Sequence, residues 1–197
     1  IATQGTVTDF ARFDPAVVQN ICMNAEQFGS AAVFMRECFR PFDFSGITLT
    51  PPTETFSGTM DIMVGSKKVQ LIEVGPSHSL GDALIYVPDD KVLYTGDILF
   101  TGGTSIAWYG PVKRWIDVCD RVLDMDVETI VAGHGPISTK DDVRDLRDYL
   151  QHVTDEARPL WEAGMDYLAA AYKVDLGRWK DREDAERVLV TVQTLFD

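Results

Sequence analysis

Three apolar, strand-like runs in this chain each end in a short glycine-containing loop that carries a histidine or an aspartate. The loops are Gly75-Pro76-Ser77-His78-Ser79-Leu80-Gly81-Asp82, Thr95-Gly96-Asp97 and Ala132-Gly133-His134-Gly135-Pro136. Runs rich in Val, Leu and Ile that stop at Gly or Pro are typical of β-strands followed by tight turns. The sequence therefore predicts three strands that deliver His78, Asp97 and His134 at their carboxyl ends.

Chain geometry predicts that the first two of these loops lie close together. The run from Lys67 to Val74 reads as a strand that delivers His78. The next two runs, 83–87 and 91–94, are separated by a Pro-Asp-Asp turn and predict a hairpin. Because a hairpin returns to the place where it started, we expect Asp97 to lie near His78.

The third loop is predicted to reach the same edge of the sheet. Apolar residues at helical spacing from Pro111 to about Met125 indicate a helix, and 128–131 forms the next strand. A strand, a crossover helix and a second strand make the two strands parallel. His134 is therefore expected to leave the sheet at the same edge as Asp97.

Two imidazoles and one carboxylate at one edge suit a borderline metal ion such as zinc, which takes histidine nitrogen and aspartate oxygen ligands. The flanking glycines let the backbone turn sharply and leave room for a metal ion and a substrate. Any one of the loops alone is more simply explained as an ordinary turn. All three together, in this order and topology, favour a metal site.

These residues resemble the metallo-β-lactamase-fold hydrolases, whose Gly-Pro-x-His-Ser/Thr-x-Gly-Asp, Thr-Gly-Asp and Gly-His-Gly-Pro motifs match this chain one by one. The resemblance implies that His78 binds one divalent metal ion, His134 binds a second, and Asp97 bridges both. Zinc is the expected metal, with iron or manganese as alternatives. The implied fold is an α/β metallo-β-lactamase-like αββα sandwich, of which this chain supplies the second sheet, its helices and a helical C-terminal tail.

One departure from the family pattern matters. The first metal motif of the family, His-x-His-x-Asp-His, is not found in a sequence whose only histidines are His78, His134 and His152. The chain begins at Ile1 without a methionine, and residues 1–3 resemble the strand that follows that motif. We therefore expect a truncated, carboxyl-terminal portion of a longer protein, or a protein whose amino-terminal segment was removed.

The resemblance implies metal-dependent hydrolysis of a small ester, thioester, lactone or lactam through a metal-bound hydroxide in the intact protein. The alternative is a catalytically inactive truncated or binding module that keeps the fold but only half of the metal site. No catalytic residue is assigned within this chain. Trp108 and Tyr109, in the glycine-rich segment after Asp97, are candidates for a substrate-binding wall, and packing against the neighbouring helix is the alternative.

Composition narrows the partners and the location. The chain has 197 residues, 45% of them apolar, which allows one sizeable core, and it contains no apolar run of membrane-spanning length. Its formal net charge of −13 disfavours binding to nucleic-acid phosphates. Cys22, Cys38 and Cys119 are predicted to be reduced core thiols, and the cytoplasm is the default location.

Half of a sandwich would expose the apolar inner face of its sheet. We therefore expect a homo-oligomer such as a dimer, pairing with the missing N-terminal half, or a rearranged packing of this face.

The segments on either side of the motifs are predicted to be helical. In the first part, an Asp14-Pro15 cap predicts a helix that runs to Gly29, and a second helix covers about Ala31 to Phe39. The chain is accordingly divided into a partial metallo-β-lactamase-like domain, 1–137, and a C-terminal helical segment packed on it, 138–197.

In the C-terminal segment, Ser138 with Asp141 resembles a capping box that starts a helix. Pro159 is expected to kink or end this helix, and residues 181–196 predict a final amphipathic helix. His152 is predicted to have a packing or surface role.

Overall fold

The computed structural model describes residues 1–12, 14–27, 36–37 and 39–197. Its strands are β1 (Ala2–Thr3), β2 (Thr55–Phe56), β3 (Thr59–Val64), β4 (Lys67–Glu73), β5 (Ala83–Val87), β6 (Val92–Phe100), β7 (Thr129–His134) and β8 (Ile137–Ser138). Its α-helices are α1 (Gln4–Arg12), α2 (Pro15–Met23), α3 (Val112–Asp124), α4 (Lys140–Glu162), α5 (Tyr167–Ala171) and α6 (Val188–Phe196).

The six strands from β3 to β8 form one mixed sheet in which their order is the same as in the chain. Neighbouring strands are antiparallel except for β6 and β7, which are parallel. Helix α3 makes the crossover that a parallel pair requires. The predicted hairpin, helix and parallel strand are confirmed, and the carboxyl ends of β4, β6 and β7 lie at one edge of the sheet. Strands β1 and β2 form a separate parallel pair.

Helix α3 covers part of one face of the sheet because its apolar residues recur every three or four positions. Its buried residues are Val112, Trp115, Ile116, Val118, Cys119 and Val122. The Trp115 indole N–H donates a hydrogen bond to the carbonyl oxygen of Ile98, at 3.0 Å, and so fixes α3 to β6. Helix α4 packs beside α3 with its own buried stripe, which runs along Val143, Leu146, Tyr149, Leu150, Val153 and Ala157.

Sheet residues that point toward these helices are buried, and they join one hydrophobic core with them. The sheet contributes Ile72, Leu84, Leu93 and Ile130 to this core. Val188 and Val192 of α6 belong to the same core, so the helices after residue 138 share one hydrophobic core with the sheet. The division of the chain at residue 137 stays a prediction.

The opposite face of the sheet carries a row of apolar side chains, one from each strand. Register pairs each member of the row with the next, in the order Met60, Leu71, Ile85, Tyr94, Val131 and Ile137. We call these six residues the outer row. Its members Ile85, Tyr94 and Ile137 are 40%, 45% and 66% exposed, so among the described residues this face has less cover than the helices give the other face.

The amino-terminal helices differ from the prediction in two ways. Helix α1 was not predicted. The helix that Asp14 caps ends at Met23 rather than at Gly29, and a short 3-10 turn follows it, Ala25–Gln27. The Asp14 carboxylate does accept a hydrogen bond from the backbone N–H of Ala16, as an N-cap should. Gly29, Cys38 and most of the predicted second helix lie outside the described residues.

The C-terminal helices correct three expectations. The capping box of α4 uses Thr139 and Asp142 rather than Ser138 and Asp141. Pro159 does not end α4, which continues to Glu162, and the alternative of a kink at Pro159 stays a prediction. The last α-helix, α6, begins at Val188, and the residues from 181 to 187 form shorter turns.

His152 has the packing role that the sequence predicted. Its Nε2 lies 2.6 Å from the carbonyl oxygen of Asp175, and its ring packs on Trp179. Within the described part of the chain, no helix combines the length and the apolar character needed to cross a membrane.

Candidate metal centre

The His78 imidazole is held in a fixed orientation at the end of β4. Its Nδ1 lies 2.8 Å from the carbonyl oxygen of Ile106, and its side chain is only 14% exposed. Its ring packs edge-on against Trp115 and lies near Phe100. Because a carbonyl oxygen only accepts hydrogen bonds, Nδ1 carries a proton, and in the neutral imidazole Nε2 is then the nitrogen with the lone pair. Such an imidazole is prepared to bind a metal ion through Nε2.

Asp82 organises the loop that carries His78. Its Oδ2 accepts hydrogen bonds from the backbone N–H groups of Ser77, at 3.1 Å, and Ser79, at 2.8 Å, while Oδ1 accepts one from the Ser79 hydroxyl, at 2.7 Å. Burial raises the pKa of Asp82, whereas these hydrogen bonds and the nearby His78 act in the opposite direction. Both oxygens accept hydrogen bonds inside the loop, so Asp82 fixes the shape of the loop.

Asp97 lies between the two predicted histidine ligands. Its Oδ2 is 3.5 Å from Nε2 of His78, and its Oδ1 is 3.3 Å from Nε2 of His134. The register between β6 and β7 is irregular near Gly96, where φ is +52°. This irregularity accompanies the placement of the Asp97 carboxylate at the edge of the sheet. The structure therefore brings the three predicted ligands together, with each carboxylate oxygen facing a different imidazole.

His134 is the least enclosed of the three residues. Its side chain is 58% exposed, and its ring stacks on Phe100 at 4.4 Å between centroids. The backbone carbonyl of His134 accepts a hydrogen bond from the N–H of Thr101, at 2.9 Å. A Cβ atom on the preceding Gly133 would lie 2.4 Å from Oδ1 of Asp97, so the approach of the two strands requires glycine there.

The three predicted ligands are arranged as two pairs rather than as one cluster. Across the described ranges of the chain, no group of three or more His, Cys, Asp and Glu side chains is arranged to hold a single metal ion. The geometry instead gives two pairs, each of one imidazole nitrogen and one oxygen of Asp97. The bridging role of Asp97 stays a prediction, and each pair would leave further coordination positions to other donors.

A cavity of about 420 Å³ adjoins this centre and is lined by His78, Ser79, Asp82, Thr95 and Asp97 together with Gly81, Ala83 and Gly96. Hydroxyl and carboxylate groups supply much of its surface. A small polar substrate group could enter this cavity next to the carboxylate of Asp97.

Trp108 and Tyr109 line a different cavity, of about 650 Å³, beside helices α3 and α6. The Trp108 side chain is 54% exposed, and its backbone N–H donates to the carbonyl oxygen of His78, at 3.2 Å. The Tyr109 hydroxyl donates to Oδ1 of Asp9, at 2.8 Å. Trp108 therefore contacts the His78 loop, and Tyr109 contacts helix α1. The substrate-binding role of both residues stays a prediction.

Sequence reasoning missed four contributors to this centre: the loop role of Asp82, the carbonyl of Ile106, the ring of Phe100 and the carboxylate of Asp9. Asp82 lies within the first motif, and its distance of three residues from Ser79 is a recognisable signal for a local turn. No local signal marks Asp9, because its partner Leu80 is 71 residues away in the chain.

Comparisons with known proteins agree with the fold. The profile of the metallo-beta-lactamase superfamily matches residues 20–134, which is more than half of the chain. The chain is 32% identical over 90 residues to 2,4-dinitroanisole O-demethylase subunit alpha of Nocardioides sp. (strain JS1661), and the match covers 43% of this chain and 26% of that protein. It is 26% identical over 123 residues to the linear primary-alkylsulfatase of Pseudomonas sp. (strain ATCC 19151), covering 55% of this chain and 22% of that protein.

The matched part of the chain thus spans about a quarter of the length of these relatives. Among solved structures, a metallo-beta-lactamase family protein from Thermus thermophilus superimposes with a TM-score of 0.61 at 16% identity. That match covers 85% of this chain and 52% of the other, and at this identity it supports the fold alone.

Proposed function

This chain belongs to the metallo-beta-lactamase superfamily, and we propose that it carries His78, Asp97 and His134 as ligands of two divalent metal ions in a hydrolase. The observation that carries the proposal is the position of Asp97, whose two oxygens face the Nε2 atoms of two different imidazoles. Zinc suits this set of nitrogen and oxygen donors, and iron or manganese are the alternatives.

The metal ions, when bound, would act as Lewis acids that polarise the substrate and lower the pKa of a water molecule. The chain supplies the scaffold for this chemistry. Asp97 places negative charge between the two imidazoles, and Ile106 keeps the lone pair of His78 directed toward that carboxylate. Phe100 supports the ring of His134 by stacking on it.

The proposed substrate is a small ester, thioester, lactone or lactam with an apolar portion. One of the two relatives is named an O-demethylase and the other an alkylsulfatase. These names support cleavage of a bond between an oxygen atom and a small group. The polar cavity at Asp97 suits the group that is cleaved. The neighbouring cavity with Trp108 and Tyr109 suits an apolar portion of the substrate.

Metal titration tests the ligand set directly. Metal-stripped protein is titrated with Zn²⁺ and with Co²⁺, and binding is measured by calorimetry and by the visible absorption of Co²⁺. We expect Asp97→Ala to abolish binding and His78→Ala to weaken it by at least about tenfold. His152→Ala is the matched control, because this histidine lies away from the site and contacts Asp175. Equal binding by the His78 and His152 variants would contradict the assignment.

Turnover is tested in the intact protein with esters, thioesters, lactones, lactams and alkyl sulfates, with and without His78→Ala. Hydrolysis that requires His78 supports the proposal. The second candidate function is a binding module without turnover, and one observation favours it: each ion would have only two donors from the described residues. Metal binding with no hydrolysis of any substrate in the series would support this second candidate.

We also propose that the outer row is covered by further protein, either another polypeptide segment or a second copy of this chain. The support for this is the continuity of apolar side chains across all six strands. A contiguous apolar surface of this kind favours association in water. Its test is given with the predictions below.

A further inference from the structure

Helix α1 packs directly on the loop that carries His78. The hydroxyls of Thr3 and Thr6 both donate hydrogen bonds to the carbonyl oxygen of Gly81, at 2.9 and 3.0 Å. The backbones approach so closely that a Cβ atom on Gly81 would lie 2.1 Å from the backbone nitrogen of Thr6. The loop and the amino-terminal end of α1 are therefore in close backbone contact.

Asp9 extends this contact with both oxygens of its carboxylate. Oδ2 accepts a hydrogen bond from the backbone N–H of Leu80, at 3.1 Å, and Oδ1 accepts one from the hydroxyl of Tyr109, at 2.8 Å. Hydrogen bonds to an ionised carboxylate are about twice as strong as those between neutral groups. The hydrogen bond to Asp9 also raises the pKa of Tyr109, while Arg12 lowers it.

The two partners of Asp9 belong to the two segments that fix His78. Leu80 lies in the loop that carries the imidazole, two residues after His78. Tyr109 lies three residues after Ile106, whose carbonyl oxygen accepts the hydrogen bond from Nδ1 of His78. A single carboxylate on α1 thus joins the segment that carries the ligand to the segment that orients it.

We propose that Asp9 is a positioning residue for the metal centre, which holds the His78 loop and the Tyr109 segment in the arrangement that directs Nε2 of His78 toward Asp97. The inference rests on the proposed role of His78 as a metal ligand. Asp9 itself does not contact the candidate metal positions, since both of its oxygens are bonded to Leu80 and Tyr109.

The first test uses the metal-free protein and therefore does not depend on metal binding. Hydrogen exchange of the Leu80 amide is compared in the wild type, Asp9→Ala and Thr8→Ala. Thr8 is the matched control, because it lies next to Asp9 on α1 and its hydroxyl bonds to the carbonyl of Gln4. We expect exchange at Leu80 to be about tenfold faster in Asp9→Ala and unchanged in Thr8→Ala. Unchanged exchange in Asp9→Ala would overturn the inference.

The second test measures the affinity for Co²⁺ by its visible spectrum. Asp9→Ala is expected to weaken binding by about tenfold, the effect typical of residues that orient a ligand. Asp9→Asn should restore most of this loss, because its amide oxygen can still accept from Leu80. Rescue of this kind separates positioning from a general loss of structure. If Asp9→Ala does not fold, Tyr109→Phe removes one of the two bonds and should weaken Co²⁺ binding by about threefold.

The outcomes separate this inference from the proposed function. If the wild type binds Co²⁺ and Asp9→Ala binds it equally well, the inference is wrong and the metal site stands. If the wild type does not bind Co²⁺, the proposed metal site is wrong, and so is the role of Asp9 in metal binding. The exchange experiment still decides in that case whether Asp9 fixes the loop.

Discussion

The two faces of the six-stranded sheet are both apolar, but the part of the chain that the structure describes fully buries side chains on only one of them. On β5, Leu84 is fully buried beneath the helices, while its neighbour Ile85 is 40% exposed on the other face. The same contrast separates Leu93 from Tyr94 on β6. Side chains along a strand alternate between faces, so residues one position apart report on two different environments. The composition of a strand therefore shows that a face can be buried, and the packing of other elements decides whether it is.

The largest expected effect is the loss of a buried side chain from the covered face. Leu84→Ala should lower the free energy of unfolding by about 2–5 kcal/mol, because it removes buried methyl groups and leaves a cavity. Ile85→Ala should lower it by less than about 1 kcal/mol. Urea unfolding followed by circular dichroism measures both values. Similar losses for the two variants would break the contrast between the faces.

The dependence of stability on alkaline pH gives an independent measure of burial on the covered face. Burial raises the pKa of the Cys119 thiol in α3 to about 12. Because burial raises the pKa of this thiol only in the folded state, the unfolded chain loses the thiol proton at a lower pH than the folded chain does. The free energy of unfolding is therefore unaffected by this group below the unfolded pKa, and it falls as the pH rises from there toward 12. We expect the free energy of unfolding to fall by about 1.4 kcal/mol between pH 7 and pH 10 from this group.

The control for this prediction is Cys119→Ala, whose unfolding free energy should fall less over the same pH range. Urea unfolding at a series of pH values in the presence of a reductant makes the comparison. An identical pH dependence in the variant and the wild type would show that Cys119 is not shielded as the structure indicates.

The outer row predicts that copies of this chain associate with one another. The wild type should self-associate as its concentration rises, and Ile85→Lys should weaken the association by at least about tenfold, or about 1.4 kcal/mol. Trp161→Lys is the control, since Trp161 is an exposed apolar residue on α4, outside the sheet. Sedimentation velocity over a range of concentrations measures the effect. A monomeric wild type throughout that range, or a larger effect of Trp161→Lys, would contradict self-association through this face.

The smallest expected effect comes from the edge strand β8, whose two residues point to opposite faces. Ser138 is buried, and its hydroxyl contacts that of Thr101, at 2.7 Å, and the carbonyl of Pro136, at 2.9 Å. Ser138→Ala should lower the unfolding free energy by about 1 kcal/mol, whereas Ile137→Ala should change it by no more than about 0.5 kcal/mol. Thermal unfolding of the two variants measures the difference, and a larger effect at Ile137 would reverse the assignment of the faces.

The sheet and the candidate ligands could be predicted because their signals are local or follow from simple topology. Apolar runs, turn residues and the rule for parallel crossovers place His78, Asp97 and His134 at one edge without any knowledge of side-chain contacts. The outer row was expected only in general terms, as an exposed apolar face. Its membership depends on strand register, which the sequence does not specify to a single residue.

The remaining features depend on contacts that are distant in the chain. Helix α1 is stabilised by the hydrogen bonds of Thr3 and Thr6 to Gly81, and neither sequence segment indicates the other. The capping box was predicted one residue too early because Ser138 and Thr139 are both suitable caps. Ser138 instead directs its hydroxyl toward Thr101 and Pro136, and this leaves Thr139 to cap α4.

The register between β6 and β7 places Phe100 opposite His134. The separation between Asp97 and His134 is therefore set by backbone pairing in the middle of the chain's main sheet, and it should persist until the sheet itself unfolds. His78 lies on a loop outside the strands, and local opening of that loop would leave the pairing of β6 and β7 in place. Of the two imidazole–carboxylate pairs, the one at the exposed His134 should thus be the more durable under mild denaturation, and the one at the buried His78 should be lost first.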